Sequence, residues 1–581
     1  MLTLKTVLKR NNVIKLLLKQ RLSTSTRPQL KSKYFIYGSL FTTGLISYGV
    51  CEHINQSNVL HQSHDSTWVT WLGEQYEEVI KQNSVARFGR AAVAIVAVFV
   101  DYKYSLYGLD GEDQGYWQAK SDCHLRSAIR FRDLCSSNGG VFMKIGQHIG
   151  SLEFLFPREY TDTLKCFQYD APASSMKDVR TVIETDTNMK MGDLFNQFDE
   201  TPIGAASLAQ VHRAVLKDGS IVAVKVQHKL VKKHAFADAI VIEFFVNIAG
   251  KLFREFQFQW LVDSIKTNVP LELNFINEGK NCEKMRDVLK EFKYLKVPKI
   301  YWKRCTERVL FMEYCEGGIV DDIEYIKKHN LNVNDISTKL GRLYSEMIFV
   351  NGLIHCDPHP GNILIRKSAT DNQCEVILLD HGLYQPMKDH VRVSYCKLWQ
   401  SVIGADVEGI KEHSRELGVG DYYGLFACIV AARSWDAIQG GIDKTAQTKK
   451  EIQEIQENAV QLVSVITEVL ERLPREMIMV FKTNDLLRGL DARLKTKSTS
   501  ASFITMSKCC LRAVYNDELS KCTTRYGKVK LYYGYQLNSM RLLMYQFTLT
   551  SCGTYLMRCI SFATSGFSYL TTGLSRITAN Y

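Results

Sequence analysis

Apolar positions along the chain follow two different periods. "IVAVKVQ", residues 221–227, is a run of β-branched residues interrupted by one lysine and reads as a buried strand with Lys225 in its middle. The preceding "AQVHRAVLKDGS" has the pattern of the other arm of a hairpin, with Asp218-Gly219 as its turn. A further apolar run at residues 376–379 in "CEVILLDHGLY" predicts a short strand. Elsewhere the period is helical. In "VFMKIGQHIG" Lys144 and Gln147 stand three residues apart and share a helix face, while Gly146 permits close approach of another element. That polar stripe either faces water or turns inward. Residues 319 to about 500 are helix-rich, with amphipathic stretches such as "AQTKKEIQEIQENAVQLVSVITEVLERL".

Between these elements lies "IHCDPHPGNILI", residues 354–365, where two turn-forming pairs, Asp357-Pro358 and Pro360-Gly361, predict a loop. Asp357 and Asn362 are five residues apart, the spacing of the kinase catalytic loop H-R-D-x-x-x-x-N. Phosphoryl transfer needs a carboxylate that accepts or orients the proton of the attacking hydroxyl, and a neutral oxygen that helps hold metal on the phosphates. Asp357 and Asn362 suit those roles. A second metal-binding carboxylate should follow a short strand, and Asp380-His381-Gly382 occupies the place of D-F-G.

The phosphate-facing half is sought upstream. Lys225 matches the V-A-I-K lysine; it either snorkels to a sheet edge or pairs with an acid. Glu278, on a probable helix 53 residues later, is the candidate acid. Where a glycine-rich loop should precede the hairpin, the chain reads "PIGAASLAQVH". Gly204, Ala205, Ala206 and Ser207 are the candidate phosphate loop, and the two alanine Cβ atoms restrict how closely its backbone approaches phosphates. "FMEYCEGG", with Glu313 and Tyr314, is the candidate hinge that offers backbone groups to an adenine.

Composition and charge narrow the remaining possibilities. At 581 residues, 46% hydrophobic and 23% charged, the chain is long enough for a two-lobed core with extensions. Of the net +12, nine charges come from residues 1–51 and seven from 519–581, neither of which contains an acid, so the intervening residues carry −4. A nucleic-acid groove through the centre is disfavoured. The sixteen cysteines include no C-x-x-C pair and suggest neither a zinc site nor a disulfide framework.

Residues 1–33 mix Leu, Val and Ile with basic residues at near-helical spacing and then turn Ser/Thr-rich, the profile of a mitochondrial presequence or, failing that, of a disordered basic arm. Residues 34–51 are uncharged and near the minimum length to span a bilayer, so inner-membrane anchoring is expected. "AAVAIVAVFV", residues 91–100, is too short to span and should pack as a helix on the core. The uncharged runs of 541–576, split by Arg558, fit helices on a membrane surface, helices packed on the core, or a spanning hairpin; the absence of acid there suits anionic lipid.

Taken together, "PIGAASLAQVH", Lys144-Ile145-Gly146-Gln147, Glu272-Leu273-Asn274, the Asp357 loop and Asp380-His381-Gly382 resemble the UbiB family of atypical kinases, the aarF-domain-containing kinases, over roughly residues 120–420. The wording of the alanine loop and of "INEGKN" is most similar to a mitochondrial branch of that family. The resemblance implies an α+β, atypical protein-kinase-like bilobal fold whose N-terminal helical extension carries the K-x-G-Q motif and whose C-terminal extension is helical.

Its implied organisation is a presequence at 1–33, a candidate membrane segment at 34–51, a helical extension at 52–140, the motif helix and N-lobe with hinge at 141–318, the C-lobe at 319–500 and a basic helical tail at 501–581. It also implies that the motif helix folds over the active site, with Lys144 directed at the nucleotide phosphates or at Glu272 and with Gln147 and Glu272 in regulatory roles. Here the last acid of the family's E-x-D is replaced by Asn274. The implied cofactors are ATP and Mg2+, with Asp357, Lys225, Glu278 and Lys144 acting in catalysis and Asn362 and Asp380 on metal. The implied activity is that of a kinase or ATPase acting on a small or lipid-like substrate in mitochondrial lipid homeostasis, including quinone-type lipids. A catalytically weak nucleotide-sensing scaffold is the alternative.

Overall fold

The computed structural model describes residues 84–548, apart from 110–113, 153–155, 169–170, 253–257, 369–371, 432, 441–462 and 497–498. The presequence and membrane-segment expectations for residues 1–51, the tail beyond 548 and most of the amphipathic stretch at 446–473 lie outside the described residues. No described helix is long and apolar enough to cross a membrane.

Three helices open the described chain: α1 (Ser84–Ser105), α2 (Gln114–Asn138) and the motif helix α3 (Val141–Gly150). Gly139 and Gly140 both take positive φ, which lets α3 start immediately after α2 ends. The apolar run at 91–100 lies within α1, and its Ala91 is buried in the main core. After α4 (Arg158–Leu164) and α5 (Met176–Thr187) comes a five-stranded antiparallel sheet: β1 (Phe195–Phe198), β2 (Gly204–Ala205), β3 (Ala209–Leu216), β4 (Ile221–Gln227) and, later in the chain, β6 (Val309–Glu313). The order is β1-β3-β4-β6, with β2 also on β3. The predicted hairpin is β3–β4, and Gly219 takes the positive φ of +85° that its turn requires.

Strand alternation divides the side chains of β4. Val222, Val224 and Val226 pack with Val179, Val182 and Ile183 of α5 on one face. Ala223 lies on the other face, in a cluster with Phe275 and Cys282, and Lys225 shares that face. Three helices follow β4: α6 (Val231–Leu252), α7 (Gln259–Glu272) and α8 (Phe275–Val288). α6 is clamped to α1 by the buried Arg87–Asp238 pair, in which Arg87 Nε donates to Asp238 Oδ1 at 2.8 Å.

The helical lobe holds a small sheet of β5 (Leu295–Lys296), β10 (Cys374–Leu378), β9 (Ile363–Lys367) and β7 (Gly318–Ile319), with β8 (Leu353–His355) paired separately to β11 (Tyr384–Pro386). Its main helices are α9 (Val333–Ser345), α10 (Asp389–Ile403), α11 (Val407–Glu416), α12 (Arg475–Leu494), α13 (Thr499–Lys521) and α14 (Arg525–Thr548).

Two boundaries expected from sequence sit differently in the fold. The motif helix was grouped with the strand-bearing lobe, yet its Val141, Phe142 and Ile145 share one core with Ile354, Tyr395 and Met477 of the helical lobe. The C-lobe was expected to end near residue 500, yet α13 buries Cys509, Cys510 and Ala513 in that same core, and its Arg512 pairs with Glu346. Both segments look separable in sequence because their polar residues are interleaved with apolar ones; only tertiary packing shows which face is covered.

Candidate active site

Lys225 does not snorkel to an edge. Its place on the Ala223 face aims it at α8, where Nζ lies 2.6 Å from Glu278 Oε1, and its ammonium sits 5.3 Å from the centroid of the Phe275 ring. Asp380 Oδ1 is 3.8 Å away on the far side. Glu278 stands in the first turns of α8, a helix whose N-terminus is capped by Asn274 Oδ1, which accepts from the Ile276 N–H at 3.1 Å. The amide that replaces the family acid therefore caps the helix carrying Glu278, as an aspartate would. Gly279 follows Glu278, and a Cβ there would fall 2.6 Å from the Trp302 ring, so the glycine lets that indole pack against the helix.

The Asp357 loop and the Asp380 loop are joined by His355. Its Nδ1 accepts from the Asp357 N–H at 3.2 Å, which leaves Nε2 to donate to the Asp380 carbonyl at 2.8 Å. Asn362 Nδ2 donates to the Asp357 carbonyl at 3.2 Å, so its Oδ1 is the end of the amide left to act as a ligand. Asp380 Oδ1 accepts from the Gly382 N–H at 2.8 Å, and Oδ2 has no partner among the described residues. One amide oxygen and one ionised carboxylate oxygen form a donor set suited to Mg2+, a hard cation that prefers oxygen ligands.

His381, in the place of the D-F-G phenylalanine, is buried. Its Nε2 donates to the Leu378 carbonyl at 3.0 Å and its Nδ1 accepts from the Tyr384 hydroxyl at 2.9 Å. Helix α10 starts at Asp389, so only a short connection separates Gly382 from helix, as the sequence suggests.

The motif helix lies over this centre. Lys144, 5% exposed, meets Glu272, one of the two targets the resemblance implies, and in addition Asp357, which it does not: its Nζ is 2.8 Å from Glu272 Oε2, at the end of α7, and 2.8 Å from Asp357 Oδ2. Gln147 bridges two elements, accepting from Ser207 Oγ at 3.0 Å and donating to the Phe167 carbonyl at 2.7 Å. A Cβ on Gly146 would sit 2.6 Å from the Phe167 ring, so the close approach expected of this glycine is realised.

The alanine loop is tied down as well. The Ala206 N–H donates to the Ala209 carbonyl at 2.8 Å, the Ala206 carbonyl accepts from His228 Nε2 at 2.9 Å, and Gly204-Ala205 pair with Val211 and Gln210. At the hinge, Glu313 turns its carboxylate toward Lys296, at 2.7 Å, and its backbone N–H is spent on the Lys299 carbonyl. Tyr314 carries the Arg213 guanidinium on its ring, 5.6 Å from the centroid. The side chains of both hinge residues thus serve neighbouring strands.

Charge balance follows from these contacts. Burial opposes the Lys225 ammonium, but Asp380 and Glu278 more than compensate and hold it protonated. Burial opposes ionisation of Asp380, yet Lys225 first, then His355 and the Gly382 N–H, bring it down to about 2. Asp357 is likewise held far below the usual carboxylate range against its burial, by Lys144 and then by Lys482 of α12, with His359 and His148 adding to them. Burial raises Glu272 despite its contact with Lys144.

Sequence reasoning missed Lys482, His148 and His355. The signal for Lys482 was a lysine inside the apolar run "MIMVFK", a position that helical periodicity makes inward-facing.

Residues 166–414 match the family described as ABC1 atypical kinase-like domain. Beyond that segment, the chain is 45% identical over 472 residues to a chicken AarF domain-containing protein kinase 1, covering 81% of this chain and 91% of that one. A mouse protein of the same name is 49% identical over 428 residues, 74% of this chain and 82% of the relative. A Drosophila AarF domain-containing kinase 1 is 42% identical over 440 residues, 75% and 85% of the two chains. With relatives at 42–49% identity over most of its length, the chain belongs to the ABC1/AarF family of atypical kinases.

Proposed function

We propose that this protein binds Mg-ATP and transfers or hydrolyses its terminal phosphoryl group at the mitochondrial inner membrane, acting on a small or lipid-like acceptor in lipid homeostasis, quinone-type lipids included. The observation that carries the chemical half of this reading is the Lys225, Glu278 and Asp380 cluster, with Nζ 2.6 Å and 3.8 Å from the two carboxylates. A protonated lysine fixed in this way is positioned to face nucleotide phosphates. Asn362 and Asp380 would hold Mg2+, whose contribution is to neutralise charge on the phosphate oxygens. Asp357 orients the acceptor hydroxyl or water. The resemblance implies that the motif helix, whose Lys144 bonds Asp357, covers the path of an extended protein substrate, which favours a compact acceptor.

The membrane half rests on the presequence-like N-terminus and on α14. That helix exposes Tyr526, Tyr533, Met540 and Met544 together with Arg525, Lys528, Lys530 and Arg541, and it contains no acid. Exposed apolar and aromatic residues interleaved with cations suit the surface of an anionic bilayer.

One observation favours a second reading, a nucleotide-sensing scaffold of low turnover. Asp357 is engaged by Lys144 and the Ala206 N–H is closed into a turn, so two groups useful for transfer are occupied. Turnover of ATP by the purified full-length protein, with and without Mg2+ and with neutral or anionic vesicles, separates the two readings. Mg-dependent phosphate release that is raised by anionic vesicles and lost in Asp380→Asn supports the enzyme. Nucleotide binding without release supports the scaffold, and no Mg-dependent binding at all overturns both.

A further inference from the structure

The Asp357 carboxylate is flanked by two lysines from opposite directions in sequence. Lys144 of α3 meets Oδ2 at 2.8 Å, and Lys482 of α12 stands 4.0 Å from Oδ1. Lys482 is 3% exposed. Its ammonium has three protons to donate, and among the described residues the hydrogen bond it makes is to His148 Nδ1 at 3.3 Å. His148 is one helical turn beyond Lys144 on the motif helix, so α3 and α12 converge on the same carboxylate.

A buried ammonium with so few partners is an expensive residue to keep within a helix whose Met479, Val480 and Phe481 are all buried. An apolar side chain of similar length would pack there with no desolvation cost. Packing therefore does not explain a lysine, whereas the charge at Asp357 does. The other lysines of the centre are committed to carboxylates: Lys225 bonds Glu278, and Lys144 bonds both Glu272 and Asp357. With Lys144 alone, the Asp357 carboxylate would be held from its Oδ2 side only, by a cation that Glu272 shares. A second cation on Oδ1 opposes that pull.

We propose that Lys482 is a positioning residue of the transfer centre, one that holds Asp357 through Oδ1 against the pull of Lys144 on Oδ2. The proposal deepens the phosphoryl-transfer reading and rests on it for its catalytic consequence. The groups facing Lys482 are Asp357, Lys144, His148, Cys356 and Glu272. Asp357 is the carboxylate nearest its ammonium, so the role is specific to that pair.

The experiment combines melting temperatures with turnover for full-length Lys482→Met, Lys482→Arg, Asp357→Asn and the Lys482→Met/Asp357→Asn double variant. If the lysine serves the aspartate, Lys482→Met should be more favourable to the melting temperature in the Asp357→Asn background than in wild type, by at least a few degrees, because there it removes a cation that has lost its counter-charge. In the wild-type background, Lys482→Met should lower kcat about tenfold or more while KM for ATP stays within about twofold, and Lys482→Arg should retain more turnover because the charge remains.

Equal melting shifts in the two backgrounds, or a wild-type kcat in Lys482→Met, overturn the assignment. If the wild-type protein turns over no ATP and the melting shifts are still non-additive, the phosphoryl-transfer reading fails and the pairing of Lys482 with Asp357 stands.

Discussion

Lys144 and Asp357 are 213 residues apart in sequence, and their side chains meet at 2.8 Å in the centre of the molecule. The lysine of the motif helix thus binds the residue best placed to orient an acceptor, in addition to the glutamate at the end of α7. Removing it should have two opposite effects. Glu272 and Asp357 would lose their shared cation in a buried site, at a cost of roughly 3–5 kcal/mol, so Lys144→Met should melt at a lower temperature. The same change frees Asp357 and loosens the helix over the groove, so radiolabel transfer from ATP onto the protein should rise above the wild-type level. A destabilised variant with unchanged labelling would show that the contact only supports the fold.

Asp380 carries a different expectation. Its carboxylate is ionised near Lys225 and has one oxygen without a partner among the described residues, so Asp380→Asn should remove the Mg-dependent part of nucleotide binding. The amide can still accept from the Gly382 N–H, which should keep the fold and its melting temperature close to wild type. Thermal-shift titration with ATP, with and without Mg2+, gives the answer; an undiminished Mg-dependent shift would reject Asp380 as a metal ligand.

Much of this centre was legible in sequence because the residues that carry it sit at fixed short spacings. Asp357 to Asn362, the strand ahead of Asp380, and the lysine inside a β-branched strand are local patterns. The resemblance to a known family supplied the motif helix. What could not be read was the second target of that helix: besides Glu272 on α7, Lys144 bonds Asp357 in the 354–365 loop, and no spacing reports a contact across 213 residues. Lys482 was missed for a related reason. It belongs to a helix more than a hundred residues past Asp357, and its neighbours read simply as core. The expected break near residue 500 followed polarity, whereas in the folded state α13 packs against α9 and α10 and buries Cys509, Cys510 and Ala513 in the main core.

Buried histidines should make the protein sensitive to mild acid. His212 is fully buried, with Nδ1 donating to the Asp199 carbonyl and Nε2 accepting from Gln210, and burial holds it below the ordinary histidine range. Burial also lowers His124, which contacts the Tyr102 hydroxyl, to about 4. Both are neutral in the fold and take up a proton in the unfolded chain below about 6.5. The unfolded state therefore binds more protons in that window, and stability present above about pH 6.5 is lost as pH falls toward the folded values. The melting temperature should decline steadily from pH 7 to pH 4, with a shallower decline in His124→Gln. A flat profile over that range would show that these rings accept protons without cost.

The exposed face of α14 should govern membrane association. Replacing Tyr533, Met540 and Met544 with glutamate removes apolar contact and adds negative charge without touching the buried core, since all three are well exposed. Binding to anionic vesicles in a flotation assay should fall about tenfold or more, while ATP turnover in the absence of vesicles should be unchanged. Retained flotation would mean that other parts of the chain make the attachment.

The motif helix packs tightly at Gly146, where an added Cβ would fall 2.6 Å from one Phe167 ring atom and 2.9 Å from another. Phe167 is 3% exposed and belongs to the main core, so its ring has little room to withdraw. Its carbonyl is also the acceptor for Gln147, which ties ring position to the bridge that reaches Ser207 in the alanine loop. Gly146→Ala should therefore push α3 and Phe167 apart, at a cost of about 1–3 kcal/mol typical of overpacking, and should weaken the link from motif helix to phosphate loop. The measurable outcomes are a lower melting temperature and altered relative affinity for ATP and ADP. Shortening the ring in a Gly146→Ala/Phe167→Leu double variant makes room for the methyl group and should restore part of both. If the double variant is instead worse than the sum of the single changes, the glycine serves something other than contact with Phe167, and the packing explanation of the motif helix fails at its most constrained point.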